Sequence, residues 1–96
     1  MICIKLHTIL GIQEILGRRT VELTIPQGST VDTLISLMVN TWGSRMASYF
    51  VDSENDHHLP RIRILVNGQD IGFLKARETE LREGDEVSVL PLAAGG

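Results

Sequence analysis

Apolar and polar residues alternate in two runs near the start of the chain, residues 2–7 and 20–25. A spacing of two is typical of a β-strand with one buried face. Pro26 follows the second run and ends it, because proline has no amide proton for a sheet. We expect an antiparallel hairpin whose strands are joined through residues 8–18 by a wide loop with some helical turn. The apolar residues of the two strands are Ile2, Ile4, Leu6, Val21, Leu23 and Ile25.

The apolar spacing changes to three and four residues after the hairpin, which predicts an amphipathic helix. Ser29 or Thr30 is suited to cap its first turn, and Asp32 suits the positive end of the helix dipole. Gly43 is typical of a helix end. Such a helix is expected to cover the apolar face of the hairpin. Its apolar face comprises Val31, Leu34, Ile35, Met38 and Trp42.

The second half of the chain predicts shorter elements. Residues 44–51 favour a second short helix, and residues 52–58 form a polar loop. Residues 61–66 alternate as a third strand. Asn67-Gly68 is a strong signal for a tight turn into a short fourth strand at residues 69–72. We expect Met46, Tyr49 and Phe50 to face inward from the short helix, and Ile62, Ile64 and Val66 to face inward from the third strand.

The last predicted strand covers residues 86–90, and Pro91 is expected to end the sheet. The order β-β-α-β-β-β predicts an α+β fold in which one main helix packs across a mixed sheet of about five strands. The first and last strands are expected to lie side by side and parallel, joined by a right-handed crossover. This is the β-grasp, or ubiquitin-like, arrangement. We assign residues 1–90 to the domain and residues 91–96 to a flexible C-terminal tail.

The tail carries no charged and no hydrogen-bonding side chain. Gly95 and Gly96 have no Cβ, so the end of the chain is thin enough to pass down a narrow channel in another protein. We therefore expect the α-carboxylate of Gly96 to be the reactive group. The other tail residues expected to contact the partner are Pro91, Leu92, Ala93 and Ala94.

Composition narrows the class of protein. With 96 residues and a net charge of −3, the chain fits one domain without a basic surface for nucleic acid. Its single cysteine, Cys3, favours a reducing compartment. We find neither a signal peptide nor an apolar stretch of membrane-spanning length. These features predict a cytoplasmic protein without a nucleic-acid or membrane partner.

The arrangement of motifs resembles the MoaD/ThiS family of ubiquitin-like sulfur carriers over essentially the whole chain. The most specific matches are residues 81–87, Leu-Arg-Glu-Gly-Asp-Glu-Val, together with the terminal Gly95-Gly96. The opening residues 2–6, residues 28–31 before the main helix, and residues 64–68 also match. The length of the segment between the main helix and the tight turn is closer to the molybdopterin-synthase branch than to the thiazole-synthesis branch.

The resemblance implies a mechanism and a set of partners. An activating enzyme would use ATP to adenylate the carboxylate of Gly96, and a sulfur donor enzyme would convert the acyl-adenylate to a thiocarboxylate. The large catalytic subunit of molybdopterin synthase would then transfer that sulfur to a pterin. The carrier itself would bind no cofactor or metal and would not be an enzyme on its own.

Three features differ from the family pattern, and all lie where partner contacts are expected. His7 stands in place of an aromatic residue, Leu92 stands in place of a second proline, and the segment 8–17 is about two residues longer. Leu65 and Leu90 are out of phase with the core residues of their strands, so we expect them on the open side of the sheet near His7. These three residues form the predicted partner surface.

Two other functional interpretations, a reactive thiol and a metal site, have less support in the sequence. Cys3 has only Lys5 as a cationic neighbour in sequence, which disfavours a reactive thiol. His57 and His58 with neighbouring acids are a poor metal site, because adjacent histidines in a loop rarely close a coordination sphere. Three alternative functions remain: a protein modifier that forms isopeptide bonds through Gly96, a sulfur carrier for thiazole or amino-acid synthesis, and a plain β-grasp interaction module. The sequence names neither the sulfur acceptor nor the metal of the pathway it serves.

Overall fold

The fold is built on a mixed sheet with helices on one face. The computed structural model describes residues 1–50 and 62–91. Its strands are β1 (Ile2–Thr8), β2 (Thr20–Ile25), β3 (Ile62–Val66), β4 (Gln69–Asp70) and β5 (Glu86–Pro91). Its helices are α1 (Leu10–Leu16), α2 (Val31–Trp42) and α3 (Ser44–Phe50). Short 3-10 helices at Ile71–Phe73 and Ala76–Glu78 lie between β4 and β5.

The strand order is β2-β1-β5-β3-β4. β1 and β2 pair antiparallel, with Ile4 opposite Leu23, as the alternating runs predict. β1 and β5 pair parallel at the centre of the sheet, with Leu6 beside Val87. The predicted α+β, β-grasp architecture is therefore confirmed. Because β1 and β5 run in the same direction, both end at the same edge of the domain.

Helix α2 begins at a reciprocal cap. Thr30 is the capping residue: its Oγ1 accepts from the Thr33 amide at 3.3 Å, while its own amide donates to Thr33 Oγ1 at 3.3 Å. Ser29, the other predicted cap, is buried and donates from its hydroxyl to the Pro26 carbonyl at 2.6 Å. Gly43 ends the helix, as predicted. These bonds fix the angle at which α2 enters the core.

The core lies between the sheet and the helices. The residues of α2 predicted to face inward are buried, and Trp42 is half-buried against the same cluster. Met46 of α3 is fully buried, whereas Tyr49 and Phe50 are half-buried. The core cluster consists of Ile2, Ile4, Leu6, Ile12, Ile25, Val31, Leu34, Ile35, Met38, Met46, Ile64, Val66, Leu81, Val87 and Val89.

The segment between β1 and β2 is more regular than the sequence pattern indicates. It contains the seven-residue helix α1, which ends at Gly17 with a left-handed backbone. Gly11, which reads as a helix breaker, lies inside this helix, and the Tyr49 hydroxyl of α3 occupies the space that a Cβ at Gly11 would fill. Ile12 anchors α1 in the core with no exposed surface. Tertiary packing therefore stabilises a helix that is too short and too glycine-rich to form alone.

The connections around β4 also differ from expectation. Asn67 and Gly68 form the predicted tight turn, with φ angles of 52° and 84°. β4 is shorter than predicted, because the Asp70 carboxylate accepts from the Gly72 amide at 2.8 Å and starts a 3-10 helix there. β5 is one residue longer than predicted, since Pro91 still pairs with Ile62. The predicted loop at residues 52–58 lies outside the described residues.

Candidate functional site

The sheet face opposite the helices carries two of the predicted partner residues, His7 and Leu65, in one cross-strand row. His7 on β1 lies beside Ser88 on β5, and Ser88 lies beside Leu65 on β3. Thr20 on β2 and Asp70 on β4 complete the row at its two ends. His7 and Leu65 are thus separated by one small polar side chain. Their placement on the open face agrees with the phase of the sequence pattern.

Leu90 lies one step closer to the end of β5, paired with Arg63 on β3. It is a diagonal neighbour of Leu65, a relation in which side chains lie roughly 7–8 Å apart and are within reach of one partner group. Both leucines are half-buried. Arg63 is drawn away toward β4 by an ion pair with Asp70 at 3.4 Å. The open face is therefore two adjacent apolar spots on a polar sheet, which is a smaller apolar surface than the sequence suggests.

His7 is held in place by both of its ring nitrogens. Nδ1 hydrogen-bonds with Thr20 Oγ1 at 3.0 Å, and Nε2 hydrogen-bonds with Glu86 Oε1 at 2.8 Å. Both ring nitrogens are therefore engaged in hydrogen bonds within the domain, which hold the ring in a fixed, half-buried position. A partner that contacts His7 meets the ring and the aliphatic parts of its neighbours.

The tail begins at the end of β5. Pro91 is half-buried and paired with Ile62, so the last described residue is part of the sheet. The tail therefore starts from a fixed point at the edge where β1 also ends. Residues 92–96 lie outside the described residues. They include four tail residues predicted to take part in the site and the predicted reactive group: Leu92, Ala93, Ala94, Gly95 and Gly96.

The remaining candidate residues lie apart from this surface. The Cys3 amide donates to Glu83 Oε1 at 3.0 Å near the start of β1, at the opposite end of the strand from His7. Within residues 1–50 and 62–91 no group of three or more metal-ligating side chains comes together. His57 and His58 lie outside the described residues. No helix in the described ranges is long and apolar enough to cross a membrane.

Two exposed apolar spots were not singled out as functional by the sequence. Leu10 is 61% exposed and Ile9 is 40% exposed, directly after β1. Phe73 is 83% exposed in the 3-10 helix after β4. The apolar character of Phe73 was visible in the sequence, since it stands in a turn region with no periodic partner. The exposure of Leu10 was not, because the pattern between β1 and β2 fits a loop as well as a helix.

A rigid β-grasp domain that ends its central strand at a thin glycine tail defines the class of ubiquitin-like carriers and modifiers. Known proteins agree with this class. The chain is 40% identical over 68 residues to a "Putative sulfur carrier protein" of Archaeoglobus fulgidus, which covers 70% of this chain and 74% of that protein. It is 25% identical over 93 residues to "Small archaeal modifier protein 3" of Haloferax volcanii, which covers 97% of this chain and 98% of that protein.

The family model described as "ThiS family" matches residues 11–96. The chain belongs to the ThiS family. Its fold is also that of the "Putative molybdopterin converting factor, subunit 1" from Pyrococcus furiosus, with a TM-score of 0.72 and 23% identity. That superposition covers 97% of this chain and 100% of the other.

Proposed function

We propose that this protein carries sulfur as a thiocarboxylate on Gly96. ATP converts the Gly96 carboxylate to an acyl-adenylate with release of pyrophosphate. Sulfide-level sulfur delivered by a sulfur donor enzyme then attacks the acyl carbon and displaces AMP, so that sulfur takes the place of one carboxylate oxygen. The observation that supports this most directly is the central strand β5, which ends in a paired Pro91 immediately before the Gly-Gly tail. Family membership supports the same chemistry.

The chemistry of a carboxylate determines which groups the activating enzyme has to supply and which this chain supplies. A carboxylate is a poor electrophile, and activating it requires charge stabilisation and exclusion of water. The tail has no side chain that supplies either. The activating enzyme therefore provides the catalytic groups and binds ATP, while this chain provides the acyl end and a rigid base. Beyond the paired Pro91, the five residues 92–96 reach at most roughly 18 Å, which limits the depth of the partner's channel.

The sulfur acceptor in this proposal is a pterin precursor of the molybdenum or tungsten cofactor. The chain would then be the small subunit of molybdopterin synthase, and the large catalytic subunit would take the tail into its active site. This acceptor is supported by the segment between α2 and the Asn67-Gly68 turn, whose length is closer to that of the molybdopterin-synthase branch than to that of the thiazole-synthesis branch. His7, Leu65 and Leu90 would contact these partners beside the point where the tail leaves the sheet.

The mass of the intact protein purified from its native cells tests the carrier function. We expect a species heavier than a chain ending in Gly96 by the difference between one sulfur and one oxygen atom. Fragmentation must place that difference on Gly96. A protein whose mass never shows this substitution, even when sulfur transfer is blocked by removing the acceptor subunit, is not a sulfur carrier.

A second function, protein modification, is favoured by the likeness over 93 residues to a small archaeal modifier protein. In that case Gly96 would form isopeptide bonds with lysines of other proteins, after the same adenylation step. Ladders of adducts recognised by an antibody against this chain would support it. Substituting Gly96 must then remove the ladder. The same tail chemistry serves both functions, so adducts and thiocarboxylate can be measured on one sample.

The open face gives a separate test of partner binding. We expect Leu90→Asp to leave the fold intact and to weaken binding to the activating enzyme, because a carboxylate in an apolar contact is desolvated without a partner. A dissociation constant raised about tenfold or more would correspond to a loss of at least about 1.4 kcal/mol. Isothermal titration with the purified enzyme measures it, and Thr24→Asp on the same face at the far end of β2 is the control. Equal affinities for Leu90→Asp and the parent chain would remove Leu90 from the partner surface.

A further inference from the structure

Leu10 occupies an unfavourable position on two counts. Its φ angle is 55°, in the left-handed region that bulky residues seldom adopt. Its side chain is 61% exposed and does not belong to the core cluster. A glycine or asparagine at this position would relieve the backbone and remove apolar surface from water. The domain therefore gains no internal stability that explains leucine here, and such outliers cluster at functional sites.

Leu10 lies at the end of the domain from which the tail leaves. Thr8, the last residue of β1, pairs with Val89, two residues before Pro91 in the parallel partner strand β5. Ile9 follows in an extended conformation and is also exposed. Ile9 and Leu10 thus form an apolar spot next to the tail and beyond the row that contains His7.

Two arginines lie near this spot in the fold. Arg18 and Arg19 are exposed and connect α1 to β2. The Thr8 amide donates to the Arg19 carbonyl at 2.8 Å, which places the Arg19 backbone beside the end of β1, with Arg18 one residue before it in the chain. In the described part of the chain, the ion pairs join other residues. A basic pair on a chain with a net charge of −3 makes this end electrostatically different from the rest.

We propose that Ile9, Leu10, Arg18 and Arg19 form a docking corner for the activating enzyme, with Leu10 as its anchor. The complementary surface on the enzyme is an apolar pocket bordered by carboxylates, beside the mouth of the channel that takes the tail. This inference rests on the proposed function, since it names a contact of the enzyme that adenylates Gly96. It adds a surface that the open face of the sheet does not include.

Electrostatics favours the activating enzyme as the occupant of this corner. Adenylation brings the anionic end of the tail against the triphosphate of ATP, and that repulsion has to be offset by contacts made elsewhere. An attraction between the two arginines and an acidic rim outside the channel supplies such a contact. It also orients a net-negative carrier with its tail toward the enzyme during approach, which raises the association rate.

Steady-state ATP-pyrophosphate exchange with the activating enzyme of the same organism tests the corner, with the carrier as the varied substrate. We expect Leu10→Gly and Leu10→Asn to raise KM about tenfold or more, with kcat at saturation unchanged and the melting temperature not lowered. Leu10→Met should keep the parent KM. Arg18→Glu and Arg19→Glu should each raise KM about threefold to tenfold at low salt and less at high salt.

Arg82→Glu is the matched control, because it makes the same charge change in the turn before β5, at the opposite end of that strand from the tail. The docking corner is overturned if Leu10→Gly and Leu10→Asn keep the parent KM, or if Arg82→Glu raises KM as much as Arg19→Glu does. A fall in kcat at unchanged KM also contradicts docking. If the parent chain supports no exchange at all, both the carrier function and the docking corner are overturned. If the parent is active and the variants are unaffected, only the docking corner is overturned.

Discussion

Removal of Gly96 is expected to abolish adenylation while the domain remains folded. In the proposed function, the distance that the Gly96 carboxylate can reach from the sheet is set by the number of residues after the paired Pro91. Deleting Gly96 moves it back by about 3.5 Å, whereas a misplacement of about 1 Å can cost a hundredfold in rate. We therefore expect ATP-pyrophosphate exchange to fall by at least about a hundredfold. The melting temperature should equal that of the parent, since the core ends at β5.

Two further variants separate the effect of the position of the carboxylate from the effect of the width of the tail. One residue added after Gly96 moves the carboxylate forward and places a Cβ in the channel, so it should be equally inactive. Gly95→Val keeps the carboxylate in register but widens the tail, and it should fail for steric reasons. Leu92→Val, which keeps both the register and an aliphatic side chain, is the active control. Exchange at the parent rate after deletion of Gly96 would show that Gly96 is not the site of chemistry.

Alternation of apolar residues was sufficient to predict the sheet and its central pair. One face of β1 had to be buried, and a one-residue slip would have exposed Ile4 and Leu6 together, so the register was strongly specified. The same argument placed Leu65 and Leu90 on the open face. The helix α2 was predictable to within one residue, because Ser29 or Thr30 at its start and Gly43 at its end are local signals.

The sequence predicted only some helical turn where α1 forms, because what stabilises that helix is not local. Its glycine is required by the close approach of Tyr49, which lies more than thirty residues away in the chain. Leu10 adopts a left-handed backbone where the chain passes from the extended Ile9 into α1. A pattern of neighbouring residues carries no information about either feature.

The candidate site was predictable in position but not in detail. The phase of β1 places His7 on the open face, yet the bonds from its ring to Thr20 and Glu86 depend on the pairing of three strands. The half-burial of Leu65 depends on its neighbours on β4 and β5 in the same way. Sequence phase therefore gives the side of the sheet, whereas exposure and hydrogen bonding are set by strand order.

Leu34→Ala is expected to destabilise the domain strongly. Leu34 is 1% exposed and lies in the core cluster between the helix and the sheet. Truncating a buried leucine loses the transfer free energy of the removed atoms and leaves a cavity, which together cost about 2–5 kcal/mol. For a domain of this size the melting temperature should fall by roughly 10–30 °C. Denaturant unfolding followed by circular dichroism measures the free energy directly.

The matched control is Ser36→Ala, an exposed position two residues further along the same helix. Alanine has a slightly better helix propensity than serine, so this variant should be as stable as the parent or more stable by a few tenths of a kcal/mol. Comparing the stabilities of the two variants separates the effect of burial from that of helix propensity, because both variants place alanine within one turn of α2. A loss below about 0.5 kcal/mol for Leu34→Ala, the range typical of surface substitutions, would mean that α2 does not pack on the sheet through this residue. That result would also contradict the view that the tail is presented from a rigid domain.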